Sequence, residues 1–296
     1  MPVVRTRSVL SGMRVKEAMR RQIVVADRAE PAAAGIARMI KYKADILLVN
    51  DGDGRPAGLV SKTDMTGAFY AGLPVETPLG DIMMGPLVCC YPDDRLEDAL
   101  QTMTDGGMHQ LFVKGADDGR LEGLLAFADI LGLVYRYCRR CRRSRARDDA
   151  AADAGAIVEE TRVGEVMTAS VIACRDTDDL TGVMETLTSQ RKSALLVKNA
   201  KNHPVGVISK SDLVLAWHRD IDGAASAASI MSAPVRSCPR QSSLTEAMAR
   251  MLLQDIGRIF VHDPDPQSIV GVMSLTDAAS HRSGTCRACV SSRMLG

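Results

Sequence analysis

Aromatic residues are scarce: four Phe, five Tyr and one Trp make up 3% of the 296 residues. So few rings leave few platforms on which unpaired bases could stack, and nucleic acid is not an expected partner. A dominant sign of charge is also missing. Lys+Arg 37 against Asp+Glu 36 gives a formal net charge of +1, so any electrostatic attraction has to be local. No apolar run approaches the roughly 20 residues that a bilayer crossing requires. The opening "MPVVRTRSVLSGMRV" has neither the apolar core nor the cleavage pattern of a signal peptide. A cytoplasmic location without membrane attachment is the expectation, and there the eight cysteines would be thiols, metal ligands or redox switches rather than structural disulfides. Catalytic motifs are absent too: there is no ATPase loop, no His-Glu-x-x-His and no Gly-x-Ser-x-Gly. His109, His203, His218, His262 and His281 are scattered, with no nucleophile or base partner at motif spacing. An enzyme is not expected.

What the chain does have is 46% hydrophobic residues, enough for the cores of two ordinary domains, and a repetition. Gly58-Leu-Val-Ser-Lys-Thr-Asp64 returns as Gly206-Val-Ile-Ser-Lys-Ser-Asp212, a shift of 148 residues. The same shift carries Val15, Glu17 and Met19 onto Val163, Glu165 and Met167, and Ile82, Met83 and Pro86 onto Ile230, Met231 and Pro234. It also carries Ala99, Met103, Phe112, Val113 and Gly123 onto Ala247, Met251, Phe260, Val261 and Gly271. The chain is therefore two copies of one module. Each copy is itself double, because a Gly-apolar-apolar-x-x-x-Asp phrase recurs at Gly123–Asp129 and Gly271–Asp277.

All four units read in one order. A "V-x-E-x-M" or "I-M" segment opens the unit, and a short apolar strand such as "IVVA" or "VIAC" follows. A capped helix comes next, with Ser243-Leu-Thr-Glu246 reading as a capping box and Pro31 suiting a first helical turn. A second strand ("DILLVN", "QLFVKG", "ALLVKN", "RIFVHD") leads through a polar turn to a third strand that ends in the phrase. Asp51-Gly52-Asp53-Gly54, Asp117-Asp118-Gly119 and Asp263-Pro264-Asp265-Pro266 supply those turns. The last helix is expected to begin at the Asp of the phrase. One such unit of about 60 residues has a marginal core, which pairing remedies.

Four copies of this strand-helix-strand-strand-helix order, each closed by Gly-apolar-apolar-Ser-x-x-Asp or a variant, resemble the cystathionine-beta-synthase (CBS) domain family over roughly residues 12 to 281. The resemblance implies an α+β fold in which CBS units pair into Bateman modules and adenosine-containing ligands bind in clefts between paired units. The expected division is a first pair over 1–145 (units at about 12–72 and 76–141), a linker over 146–160, and a second pair over 161–296 (units at about 161–220 and 224–289). The expected function is a regulatory sensor of an adenine nucleotide of the AMP, ADP or ATP class that passes ligand occupancy to a separate effector protein. Such a chain could act as a monomer with internally paired modules or as a homodimer.

The phrase is compatible with that chemistry. A carboxylate stands where a helix begins, beside unpaired backbone N–H groups and the positive end of the dipole. It can accept hydrogen bonds from both hydroxyls of a ribose, while Lys62 and Lys210 would add charge near phosphates. The resemblance implies ribose binding by Asp64, Asp129, Asp212 and Asp277 and phosphate contact by Ser61, Ser209 and Ser274; Thr63, Ser211 and Thr276 complete the candidate ligand-binding set. The same Ser-x-x-Asp is also a plain helix cap that needs no ligand, and the sequence leaves both readings open. The second phrase departs from the pattern, with Ala126 and Phe127 where the first and third have Ser and Lys.

Each half ends in Cys-x-x-Cys, at Cys138 and Cys141 and, under the same shift, at Cys286 and Cys289. If like units face each other, the second and fourth become neighbours, and four converging thiolates could hold zinc or an iron-sulfur cluster. A thiol-disulfide switch favoured by Arg139, Arg140 and Arg287 is an alternative, as is an inherited helix end without function. A metal or redox protein built on this scaffold is thus the competing functional reading. Cys89, Cys90, Cys174 and Cys238 are expected in the core. Arg136, Arg139, Arg140, Arg142, Arg143, Arg145 and Arg147 precede the acidic "DDAAADAG" and read either as a solvated helix end or as a grip for a phosphate-rich partner.

Overall fold

A computed structural model describes residues 10–115, 119–149 and 160–281. The first repeat consists of α1 (Val15–Ala18), β1 (Val25–Asp27), α2 (Ala32–Tyr42), β2 (Ile46–Asn50), β3 (Pro56–Ser61) and α3 (Lys62–Tyr70). The second runs through α4 (Leu79–Ile82), β4 (Cys89–Cys90), α5 (Leu96–Asp105), β5 (Gln110–Lys114), β6 (Leu121–Ala126) and α6 (Phe127–Asp149). The third has α7 (Val163–Val166), β7 (Ala173–Arg175), α8 (Leu180–Ser189), β8 (Ala194–Lys198), β9 (Pro204–Ser209) and α9 (Lys210–His218). The fourth has α10 (Ala227–Ile230), β10 (Ser237–Pro239), α11 (Leu244–Leu253), β11 (Arg258–His262), β12 (Ile269–Ser274) and α12 (Leu275–Ser280). This is the expected α+β pattern, four times over.

In every repeat the first two strands pair in parallel and the second and third antiparallel, giving a three-stranded sheet in chain order. The parallel pair needs a crossover, which the amphipathic α2, α5, α8 or α11 provides. In α2, Ile36 and Met39 are buried where Lys41 and Tyr42 are exposed. Pro31 sits one position outside the helix, as its N-cap. Ser243 caps α11 as expected, its side chain accepting from the Glu246 N–H. Helix α6 runs to Asp149, past the expected end of the first pair at 145, because nothing from Phe127 to Asp149 is Gly or Pro except Gly132.

The opening helices are exchanged. Chain order suggests that each opens its own repeat, yet α1 packs on α5 and α6 of the second repeat and α4 on α3 and β1 of the first. Likewise α7 packs on α11 and β12 of the fourth, and α10 on α9 and β9 of the third. Each exchanged segment then makes one antiparallel bridge with the third strand of its host: Met84 with Leu59, Arg20 with Leu124, Ser232 with Val207 and Thr168 with Val272.

Two compact bodies result. One comprises Gln22–Leu87 and Val171–Arg236, the first and third repeats; the other holds the second and fourth. In the first body α3 lies on α9, and Ile36, Met39 and Leu47 share a core with Leu195, Leu213 and Trp217. Trp217 stacks on Phe69 with ring centroids 6.5 Å apart and donates from Nε1 to the Leu73 carbonyl at 2.9 Å. In the second body α6 packs against α11 and α12, and Leu100, Leu111 and Ile130 share a core with Leu244, Met251 and Met273.

Candidate ligand-binding site

Each phrase turns a strand into a helix, and the turn is held by its own aspartate. Ser61 is extended (φ −104°, ψ 168°) and caps α3. Its N–H and its hydroxyl both donate to Asp64 Oδ2, each at 2.7 Å. Ser209 does the same to Asp212 Oδ2 at 2.7 and 2.6 Å, and Ser274 to Asp277 Oδ2 at 2.8 and 2.6 Å. These are charge-assisted bonds at the positive end of a helix, so the local sequence alone fixes one carboxylate oxygen. The serine hydroxyl hydrogens are therefore already directed at carboxylates; to donate to a phosphate, Ser61, Ser209 or Ser274 would have to turn away.

The other oxygen, Oδ1, separates the four repeats, and the exchanged segment is what separates them. Beside Asp129 that segment brings Arg20. Its Nε lies 3.1 Å from both carboxylate oxygens and its Nη2 3.0 Å from Oδ1, while Ala126 N–H holds Oδ2 at 2.8 Å. Burial raises the Asp129 carboxyl above its ordinary range, and the Arg20 charge only partly offsets this. Ala126 and Phe127 are buried. Every acceptor direction of this carboxylate facing the crossing segment is in use. Beside Asp212 the segment brings Ser232, whose hydroxyl donates to Oδ1 at 2.8 Å. Beside Asp64 it brings Met84, 58% exposed and unable to donate. Beside Asp277 it brings Thr168. Among the described residues no hydrogen bond reaches Oδ1 of Asp64 or Asp277. Arg20 and Ser232 did not emerge from sequence reasoning; the signal was their position directly after the recurrent Met19 and Met231.

The lysines are brought together. Lys62 Nζ bonds Asp45 at 2.6 Å and donates to the Ser211 hydroxyl at 2.9 Å, while Lys210 Nζ donates to the Thr63 hydroxyl at 2.8 Å. The first and third phrases are thus joined reciprocally through residues of the candidate set. Thr276 lies in α12 of the other body, half-buried. A shallow hollow of about 260 Å³ lined by Val25, Asp27, Glu30, Asn50 and Asp51 sits at the opposite end of the first sheet from Ser61 and belongs to no phrase.

Cys138 is 9% exposed and part of the core shared by the second and fourth repeats. On a helix, Arg139 and Arg140 are turned about 100° and 200° away from it, so their charge is not aimed at its thiol. Cys286 and Cys289 lie outside the described residues, as does the side chain of Cys141. Among the described residues no group of three or more His, Cys, Asp or Glu converges as metal ligands would. Cys90 and Cys238 are buried as expected and Cys174 half-buried, but Cys89 is exposed. Burial pushes Cys90 up to about 12 and Cys174 up to about 11, which leaves little thiolate. Among the described residues no helix is long and apolar enough to cross a membrane.

Comparison with known proteins agrees with this fold. The CBS domain profile matches residues 15–71, 79–136, 163–219 and 227–284. The fold is similar to that of protein MJ1225 from Methanocaldococcus jannaschii, described as a proposed archaeal homolog of g-AMPK, with a TM-score of 0.73 and 17% identity over 90% of this chain and 99% of that one. In sequence the same protein is 22% identical over 170 residues, which span 56% of each chain. An uncharacterized conserved protein from Pyrococcus horikoshii is similar over 90% of this chain and 99% of its own, at a TM-score of 0.57 and 17% identity. With its profile matched in each repeat and the strand-cap-helix phrase built four times, the chain belongs to the CBS domain family.

Proposed function

We propose that the chain is a regulatory sensor that binds an adenosine-containing ligand at the aspartates of its phrases and passes occupancy to a separate partner protein. The observation that supports this most is the free Oδ1 of Asp64 and Asp277, held at a helix start by a cap that uses only Oδ2. A free, pre-oriented carboxylate oxygen is what a ribose hydroxyl requires. Asp212 is the weaker third site, because Ser232 must first give up its bond, a cost of about 1 kcal/mol. Asp129 is not a site while Arg20 is in place. In this reading 1–145 and 161–296 are the duplicated halves, and the signal is a population shift toward whichever arrangement binds the ligand better.

A calorimetric panel of AMP, ADP, ATP, NAD and S-adenosylmethionine tests this reading. Two strong sites and one weak site per chain are expected for at least one ligand. Asp64→Asn retains an oxygen that can accept from Ser61 but puts an NH2 where the ribose acceptor was. It should weaken one site by about 1.5–3 kcal/mol, tenfold or more, without unfolding the protein. If no member of the panel binds, or if binding survives Asp64→Asn and Asp277→Asn together, these carboxylates are caps and nothing more.

A further inference from the structure

The sensor reading makes no use of the second half of α6. The helix is continuous from Phe127 to Asp149 and carries seven arginines between 136 and 147. At 3.6 residues per turn, positions 136, 139, 140, 143 and 147 fall within an arc of about 100°. Ile130, Leu131, Val134 and Cys138, all buried in the core of their body, occupy an arc of similar width centred on the opposite side. Arg136, Arg139 and Arg140 are all exposed. At Arg136, Arg139 and Arg140 this arc is turned away from the core, and positions 143 and 147 continue it along the helix, a rise of about 16 Å from 136 to 147.

This face was not inherited with the repeat. The 148-residue shift sets Arg136, Arg140, Arg143 and Arg147 against Gly284, Ala288, Ser291 and Leu295, and only Arg139 against an arginine, Arg287. Under the same shift the fourth repeat keeps Cys-x-x-Cys but not the charge.

We infer that this face of α6 binds the phosphate backbone of a nucleic-acid duplex. Five arginines at regular helical spacing occupy one arc of the helix with no apolar residue at the intervening positions of that arc, a pattern that suits a uniform polyanion rather than a folded protein surface. A duplex carries about one phosphate charge per 1.7 Å of axis, so the row lies along a length holding about ten of them. A membrane surface is a poorer fit, because the apolar face that would enter the lipid is already buried in the body. The scarcity of aromatic residues weighs against base stacking on single strands and leaves backbone contact untouched. The net charge of +1 does not oppose a local row.

The test uses the full chain and a fluorescent DNA duplex of about 20 base pairs, with an RNA duplex of the same sequence as a second arm. Anisotropy should show binding that is indifferent to sequence and falls roughly 500-fold between 50 and 200 mM salt, as about five neutralised phosphates require. Replacing Arg136, Arg139, Arg140, Arg143 and Arg147 with Gln, which keeps helix propensity, should abolish the binding and its salt slope while the circular dichroism spectrum is retained. Replacing only Arg142 and Arg145, off the row, should leave most of it. Four results overturn the inference: no duplex binding at 50 mM salt, equal loss in the Arg142 and Arg145 variant, equal competition by polyglutamate, or capture of anionic vesicles with no duplex bound. If duplex binding appears only after Asp148, Asp149 and Asp153 become Asn, the row belongs to the chain's own acidic stretch, and the inference fails as well.

Discussion

Arg20 is the residue on which the inequality of the four repeats turns. Burial raises the Asp129 carboxyl above its ordinary 3.8, and Arg20 is the charge that opposes the rise. Because the folded-state pKa exceeds the unfolded one, the stability this carboxyl contributes is complete below the unfolded value and is lost as pH rises through the folded value. Replacing Arg20 with Thr, the residue that the 148-residue shift supplies at Thr168, removes the opposing charge. The folded pKa of Asp129 should then climb further, and the loss of stability should extend to higher pH. Carboxyl chemical shifts followed through an acid titration, with urea midpoints at the same pH values, would show it. The same variant frees Oδ1 of Asp129 while the Ala126 N–H keeps Oδ2, so it should bind one more nucleotide than the wild type. An Asp129 titration unmoved by the substitution would mean that the ion pair does not govern that carboxylate.

At the scale of the element, the invariant first letter of the phrase has a steric cause. A β-carbon on Gly58 would come within 2.7 Å of the Met84 carbonyl oxygen, and one on Gly206 or Gly271 within 3.1 Å of the Ser232 or Thr168 carbonyl; at Gly123 the Arg20 carbonyl is closer still. The exchanged segment crosses directly over the third strand at each glycine. The recurrent methionines of the opening motif follow from the same crossing, since Met83, Met231 and Met167 place their sulfurs over Gly58, Gly206 and Gly271. Gly58→Ala should displace its crossing segment at a cost of about 1–3 kcal/mol. It should also speed hydrogen exchange at the Leu59 and Met84 amides, which bond each other's carbonyls at 2.8 Å. Unchanged exchange at those two amides would refute the crossing as the reason for glycine. This is also where the sequence stopped being legible. Strands, helices and caps are local and could be read from periodicity, and so could the carboxylate oxygen held by Ser61. Which repeat α1 or α4 packs on depends on contacts between segments far apart in the chain, so the order of parts could be read from the sequence while the packing partners of the opening helices could not. Arg20 and Ser232 were overlooked because they act on a neighbour's phrase.

Across a whole body, the first and third repeats are tied at the residues a ligand would disturb. Lys62 donates to Ser211 and Lys210 to Thr63, each reaching from its own phrase into the other. A phosphate arriving beside Asp64 competes for Lys62; a Lys62 withdrawn from Ser211 alters the surroundings of Asp212. Linkage then requires that a ligand at Asp212 act equally on the affinity at Asp64. The bonds involved are exposed hydrogen bonds, so the coupling should lie near the low end of the usual range, about fivefold. Asp277→Asn isolates the pair by removing the site proposed in the other body. In that background the affinity measured at Asp64 should change about fivefold when Asp212→Asn empties the neighbouring site, and adding Lys62→Met and Lys210→Met should abolish that dependence while the Phe69 and Trp217 contact continues to hold α3 on α9. If the Asp277→Asn protein already shows independent sites, the lysine bridges pack the body together without carrying a signal through it, and the sensor's response must arise elsewhere in the chain.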